Sequence, residues 1–330
     1  MRIVAVTRVL DEADVIEAFT RHTAAYVDHH VFLDNGSADG TLAILAALHR
    51  DGLPLTVLQT RCVSFNEAVH FTQLFRYAVL DHAADWVACL DADEFVDDRN
   101  SPIPWRNLLA ALSQADPAIV NLRLPMTEYV TTAHDDPTQP VVPLRIGRRR
   151  APGDIGKAVA RGGRDRAGAA ILAGGHAVLP DGPDSPPGLG VVQPGLSLAH
   201  YAERSPYQVV TKFVRGWTRV LAAPPAVATS GASYHYKHPF ELLRHRPADV
   251  LRSPAWMAFH HDHPDLVHDP IHYRGGPLRH TTPTDDPMRT VQCLMGVLED
   301  LARRHGRLLD TFPEVRQQVA AWDAELTRLL

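Results

Sequence analysis

Apolar positions along the first hundred residues follow two rhythms. Short runs rich in Val, Ile and Leu have the length and β-branched content of buried strands: "RIVAVT" near the start, "HVFLD" at 30–34, "LTVLQ" at 55–59 and "WVACLD" at 86–91. Between these runs the apolar spacing changes to three and four. A helical stretch is predicted from Ala13 to about Tyr26. A second follows the turn "NGSADG", capped by Asp39 and running through Leu48. A third carries Phe71, Leu74, Phe75, Ala78 and Val79 on one face. Strand and helix alternating at this spacing predict an α/β fold with a mainly parallel sheet flanked by helices.

Beyond Asn100 the rhythm changes. "AIVNLRLPM" (118–126) and "VVPLRI" (141–146) read as further strands, and "PDGPDSPPGLG" (180–190) as a Pro/Gly loop. From Pro206 the pattern is helical with breaks. Two late stretches, from about Met288 to Arg304 and from about Pro313 to Leu330, are amphipathic, and their Leu, Val and Trp322 stripes suit burial.

The polar residues that end the strands bring in chemistry. "WVACLDADEF" closes an apolar run with Asp91, Asp93 and Glu94, three carboxylates within four positions. Clustered buried carboxylates are costly without water, basic partners or a cation. Hard divalent ions such as Mn2+ and Mg2+ take carboxylate oxygens and share the remaining positions with phosphates and water. In open parallel sheets ligands bind beyond the carboxyl ends of strands, so Asp34 and Asp91 are expected to face one crevice. With Ala92 pointing away, Asp91 and Asp93 are expected to share a side. The competing reading is a solvated acidic turn.

Composition narrows the classes. The 330 residues are 45% hydrophobic and 22% charged, enough for one large domain with an appended region, or for two domains. A net charge of -5 argues against a general nucleic-acid binder. Cys62, Cys89 and Cys293 lack metal-type spacing and read as reduced thiols of a cytoplasmic protein. The start, "MRIVAV", meets Arg8, Asp11 and Glu12 too soon for a secretory leader. No apolar run approaches the roughly 20 residues of a membrane span, so any membrane contact is expected to be peripheral, on the cytosolic face. Arg148, Arg149 and Arg150 read first as a solvated basic face and second as a surface for anionic lipid or a polyphosphate carrier.

Together these pieces resemble the family 2-like glycosyltransferases of the GT-A fold, over roughly residues 2–220. The resemblance rests on motifs in order: "DEADVIEAFTRH" with its downstream Glu17 and His22, "LDNGSADGT", "TQLFRYAVLDHAADWVACLDADEFV", "IGKAV", "GGHAV" and "LAHYAERSPYQVVTKFVRG". Asp11 stands where that group usually has Asn, and Ala18 where Trp is common.

The resemblance implies a GT-A-type, Rossmann-like sheet, with a catalytic domain over 1–222 and a mainly helical extension over 223–330. It implies a nucleotide-sugar donor, a UDP-sugar first and a GDP-sugar second, with Mn2+ or Mg2+ and a glycan or other hydroxyl acceptor. Thr7, Glu12, Asp34 and Asn35 would line the nucleoside pocket. Asp91 and Asp93 would hold the metal, joined by His200 as first choice and His176 as second. Lys157, Arg204 and Lys212 would meet the diphosphate. Candidates for the base that activates the acceptor are Glu128, Glu94 and Glu203. Tyr129, Tyr201 and Trp217 are candidates to stack on a sugar face. The late helices are expected to pack on the catalytic domain or on a second subunit. A nucleotidyltransferase, which usually carries a Gly-rich basic loop that "VTRVLDEAD" lacks, and a non-catalytic nucleotide-sugar-binding protein remain the alternatives.

Overall fold

The computed structural model describes all residues except 61–65, 224–233, 248–264, 282–286 and 324–330. The expectations for Cys62 and for the far end of the last helix lie outside the described residues, as does the side chain of Trp322.

The first part alternates as β1 (Ile3–Val9), α1 (Ile16–Thr23), β2 (His29–Asp34), α2 (Thr41–Arg50), β3 (Leu55–Gln59), α3 (Glu67–Leu80) and β4 (Trp86–Cys89). There follow β5 (Glu94–Asp97), α4 (Trp105–Gln114), β6 (Ile119–Glu128), α5 (Val142–Arg145), β7 (Arg148–Arg149) and β8 (Gly156–Arg161). Then come β9 (Ala170–Ile171), β10 (Val178–Leu179), β11 (Leu189–Val192), β12 (Ser197–His200), α6 (Pro206–Leu221), α7 (Tyr234–His245), β13 (Val267–His268), α8 (Pro287–Thr311) and α9 (Pro313–Asp323).

The central sheet runs β3-β2-β1-β4-β8-β6-β12-β5, with β11 also beside β6. β3, β2, β1 and β4 are parallel, β8 runs against both β4 and β6, and β12 is parallel to β6 but antiparallel to β5. The protein is thus a mixed α/β fold on a mainly parallel sheet flanked by helices. Alternation along β1 sends Ile3, Ala5 and Val9 into one apolar cluster with Ile16, Phe19, Leu45 and Leu48. It sends Val4 and Val6 into a second with Phe71, Leu74 and Phe75 of α3. Burial on both faces is what the continuous apolar strands require.

Register aligns the strand ends. Val9 pairs with Asp34, Asp34 with Gln59, and Val6 with Cys89, so the residues after β1, β2 and β4 open on one edge. The expected strand at 141–146 is instead the short helix α5. Pro143 in its first turn has a preset φ and no N–H to lose, while the amides of Leu144 and Arg145 both bond to the Val141 carbonyl. The Pro/Gly loop ends at Gly188, because Leu189 begins β11 and pairs in parallel with β6.

The C-terminal part is strapped to the sheet. The buried Glu17 carboxylate accepts the amides of Arg279, His280 and Thr281 at 2.7–2.8 Å and Arg21 Nε at 2.9 Å. His22 donates from Nε2 to the Val96 carbonyl at 2.8 Å and accepts at Nδ1 from the Arg274 amide at 3.1 Å. Asp269 takes Arg99 and Arg149, each at 2.6 Å, and β13 pairs with β7. Among the described residues no helix is long and apolar enough to cross a membrane.

Candidate active site

A cavity of about 600 Å³ opens at the carboxyl ends of β1, β4, β6 and β12, with α6 and α7 forming its far wall. Sheet pairing assembles its floor. β12 lies between β5 and β6, and the register sets His200 opposite both Glu94 and Glu128. Neighbours in one row of a sheet project to the same face, so three residues far apart in sequence meet there. Asp93 precedes β5, and its carbonyl accepts the Tyr201 amide at 2.8 Å. Ligand atoms of Asp93, Glu94 and His200 all lie within 4.8 Å of one another.

Asp91 is outside that group. The expectation that it shares a side with Asp93 assumed extended backbone. The strand stops at Cys89, and residues 91–94 form a turn closed by the Glu94 amide on the Asp91 carbonyl at 3.1 Å. Asp91 accordingly faces Lys157, with Nζ at 2.5 Å. The same ammonium lies 3.2 Å from Glu94, whose other oxygen accepts the Asp91 amide at 2.9 Å. His176 lines the cavity but is also outside the group, donating from Nδ1 to the Gly156 carbonyl at 2.9 Å.

The acids are compensated by the chain's own cations. Arg204, 1% exposed, donates to Asp14 and Glu12 at 2.6 Å each and lies 3.5 Å from Asp93. Lys212 donates to Asp93 at 2.9 Å, and His200 Nε2 stands 3.7 Å from the same oxygen. Burial would raise Asp93, but Lys212, His200 and Arg204 outweigh it and hold the carboxyl well below its usual range. Burial would lower His200, but Asp93 and Glu128 lift it to about 10, and Nδ1 donates to Glu128 at 2.6 Å. Burial pushes Glu94 up to about 7 against the pull of Lys157, and Glu12 up to about 7 against the pull of Arg204. Lys157 and Arg204, expected at a diphosphate, are therefore each engaged by two or more carboxylates.

The other expected pocket residues sit elsewhere. Thr7 is fully buried on the α1 face of β1 and hydrogen bonds His30 at 2.9 Å. Asp34 is also fully buried and ties its own turn, accepting the amides of Gly36 and Ser37 at 3.1 Å and Gln59 Nε2 at 3.0 Å. Asn35 accepts from Arg219 of α6. Arg215 of α6 pairs with Asp11 and reaches the Gly36 carbonyl at 3.4 Å, so α6 lies across this turn. Tyr129, Tyr201 and Trp217 are 5% exposed or less, and the two tyrosines pack on each other with centroids 4.9 Å apart. They belong to the core.

Arg8, Glu67, Arg215, Arg219, His235 and Tyr236 also line the cavity and were not singled out in the sequence. Their signals were present. Arg8 falls near the end of a buried strand on the α3 face, where it pairs with Glu67. Gln208, Thr211, Arg215 and Arg219 recur every three or four residues as a buried polar stripe on α6.

The donor set of two carboxylates and one imidazole fits a divalent ion such as Mn2+. Asp93, Glu94 and His200 would hold it, and His200 Nε2 would give up its proton to do so.

No family model matches the chain, and no curated protein matches it. Among solved structures, similarity is found to a mannosyltransferase from Pyrobaculum calidifontis in complex with GDP-Man and Mn2+. It is 14% identical over 91% of this chain and 87% of that one, with a TM-score of 0.33. Glucosyl-3-phosphoglycerate synthase from Mycobacterium tuberculosis, in complex with Mn2+, UDP and glucosyl-3-phosphoglycerate, is 18% identical over 38% of this chain and 44% of that one, with a TM-score of 0.27. The same synthase with Mg2+ and UDP aligns at 19% identity over 38% of this chain and 43% of that one, with a TM-score of 0.27. The chain thus spans less than half the length of the mycobacterial enzyme. All three TM-scores are below 0.5, and the functional reading rests on this chain's own residues.

Proposed function

We propose that the protein is a metal-dependent glycosyltransferase of the GT-A type that moves a sugar from a nucleotide-sugar donor to an acceptor hydroxyl. The observation that carries this reading is the row Glu94, His200 and Glu128, with Asp93 beside it, on the floor of a cavity at the strand ends. Such a place in an open α/β sheet suits a nucleotide, and such a donor set suits an ion that binds diphosphate.

A bound divalent ion would supply charge to offset the departing diphosphate. The chain's residues do the rest. Asp93, Glu94 and His200 hold the ion's position. Lys157 and Arg204 offset the charge of the buried carboxylates and orient them. Lys212 lines the cavity wall and meets anionic oxygens of the donor. Glu128 is the base for the acceptor hydroxyl where transfer inverts configuration. Its side chain is 42% exposed, whereas Glu94, at 1%, is closed off from an incoming acceptor. Glycan or glycoconjugate synthesis is the setting that fits, with a UDP-sugar as first donor and a GDP-sugar as second.

A thermal-shift panel of nucleotide sugars with Mn2+ tests the proposal. A ligand at about 100 times its Kd adds roughly 2.7 kcal/mol, and one donor is expected to stand out. A flat panel, with and without the ion, overturns the reading.

A further inference from the structure

Three cations of the chain converge on one oxygen, Asp93 Oδ2: Lys212 Nζ at 2.9 Å, Arg204 Nη1 at 3.5 Å and His200 Nε2 at 3.7 Å. They are not equally free. Arg204 is locked between Asp14, Glu12 and the Tyr201 carbonyl and is 1% exposed. His200 is fixed in the sheet and tethered by Glu128. Lys212 holds Asp93 and the Ala202 carbonyl (3.2 Å) from the end of a flexible stem on α6, and its side chain is 25% exposed on the cavity wall. A lysine is a compact charge on four rotatable carbons, so it can exchange partners where the planar, triply held guanidinium cannot.

We propose that Lys212 is a resident counter-cation, a positioning residue whose ammonium occupies Asp93 until a divalent ion takes that carboxylate. Lys212 then turns into the cavity and receives the anionic oxygens of the donor. This deepens the metal-dependent reading and rests on it. Two consequences follow from charge alone. Lysine and the ion compete for one carboxylate, so the lysine weakens ion binding in the absence of nucleotide. Ion binding frees a cation for the diphosphate, so ion and nucleotide strengthen each other's binding by more than their direct contact provides.

The test is Lys212→Met, which keeps the stem and removes the charge, with Lys212→Gln as a second variant that keeps a donor. Mn2+ affinity without nucleotide is titrated by electron paramagnetic resonance, and uridine diphosphate affinity with and without Mn2+ by calorimetry. Lys212→Met is expected to bind Mn2+ roughly tenfold more tightly and to lose much of the enhancement that Mn2+ gives to uridine diphosphate binding. Arg8→Met, which removes a cavity cation that is paired with Glu67, controls for overall charge and is expected to change Mn2+ affinity far less. If the wild type binds Mn2+ and neither Lys212 variant binds it more tightly, or Arg8→Met gains as much, the counter-cation role is wrong while the metal site stands. If the wild type binds no Mn2+, the metal-dependent reading itself is overturned.

Discussion

Glu17→Gln is the sharpest probe of how the C-terminal part is held. The wild-type carboxylate is fully buried and accepts four hydrogen bonds, three of them from the consecutive amides of residues 279–281. Oε1 takes Arg21 and Arg279, while Oε2 takes His280 and Thr281. An amide side chain has one acceptor end and one donor end, so in either orientation two N–H donors face an NH2 group. A hydrogen bond to a charged group contributes about 1.5–3 kcal/mol, and a donor left unsatisfied costs about as much again. The expected loss is about 3–5 kcal/mol, concentrated in the segment around 274–281. Hydrogen-exchange mass spectrometry reads the local part as a more than 100-fold gain in exchange at those amides, given about 1.4 kcal/mol per decade. Urea denaturation reads how much reaches global stability. Unchanged exchange at 279–281 together with a stability change below about 1 kcal/mol would show that the carboxylate does not hold the strap.

Four further outcomes are expected. Burial lowers the pKa of His22 to about 4 from 6.5, so its stabilisation is full above 6.5 and is lost as pH falls toward 4; between pH 7 and 5 this one group removes about 2 kcal/mol, and an NMR titration finding it near 6.5 in the folded protein would contradict this. Asp93→Asn is expected to abolish the Mn2+-dependent part of donor binding in calorimetry with and without chelator. Asp93→Ala is expected in addition to lose about 1–3 kcal/mol of stability, because it leaves the Lys212 ammonium with only the Ala202 carbonyl, while Arg204 keeps Asp14 and Glu12; equal melting of the two variants would count against that account. Glu128→Gln is expected to lower turnover about 10²–10⁴-fold with little change in donor affinity, and near-normal turnover would remove it as the base.

The parallel half of the fold was legible because β1, β2 and β4 are buried along nearly their whole length, and the helices between them present apolar stripes to them. The later strands were harder. β5, β7 and β12 are short, and their places depend on pairing with partners a hundred residues away, which no local pattern encodes. Pro143 turned a β-branched run into a helix start. At the site, the acidic series drew attention to the turn that lines the cavity, but the alternation argument grouped Asp91 with Asp93, where the turn groups Glu94 and His200 with Asp93. Spacing also gave no sign that Lys157 and Arg204 would be consumed as counter-ions. Asp34 and Asn35 were read as pocket residues, and the arginines of α6 that cover their turn lie about 180 residues away. Glu17 and His22, noticed only as parts of a motif, turn out to grip the tail.

The insertion of β12 between β5 and β6 has a consequence for how the chain reaches this state. During synthesis β5 and β6 emerge some seventy residues or more before their shared neighbour, and until it docks each offers open backbone donors and acceptors to any passing strand. A nascent or truncated chain ending before Ser197 would therefore be sticky as well as incomplete. Refolding from denaturant should be limited by the late threading of this single four-residue strand, with yields that fall as protein concentration rises.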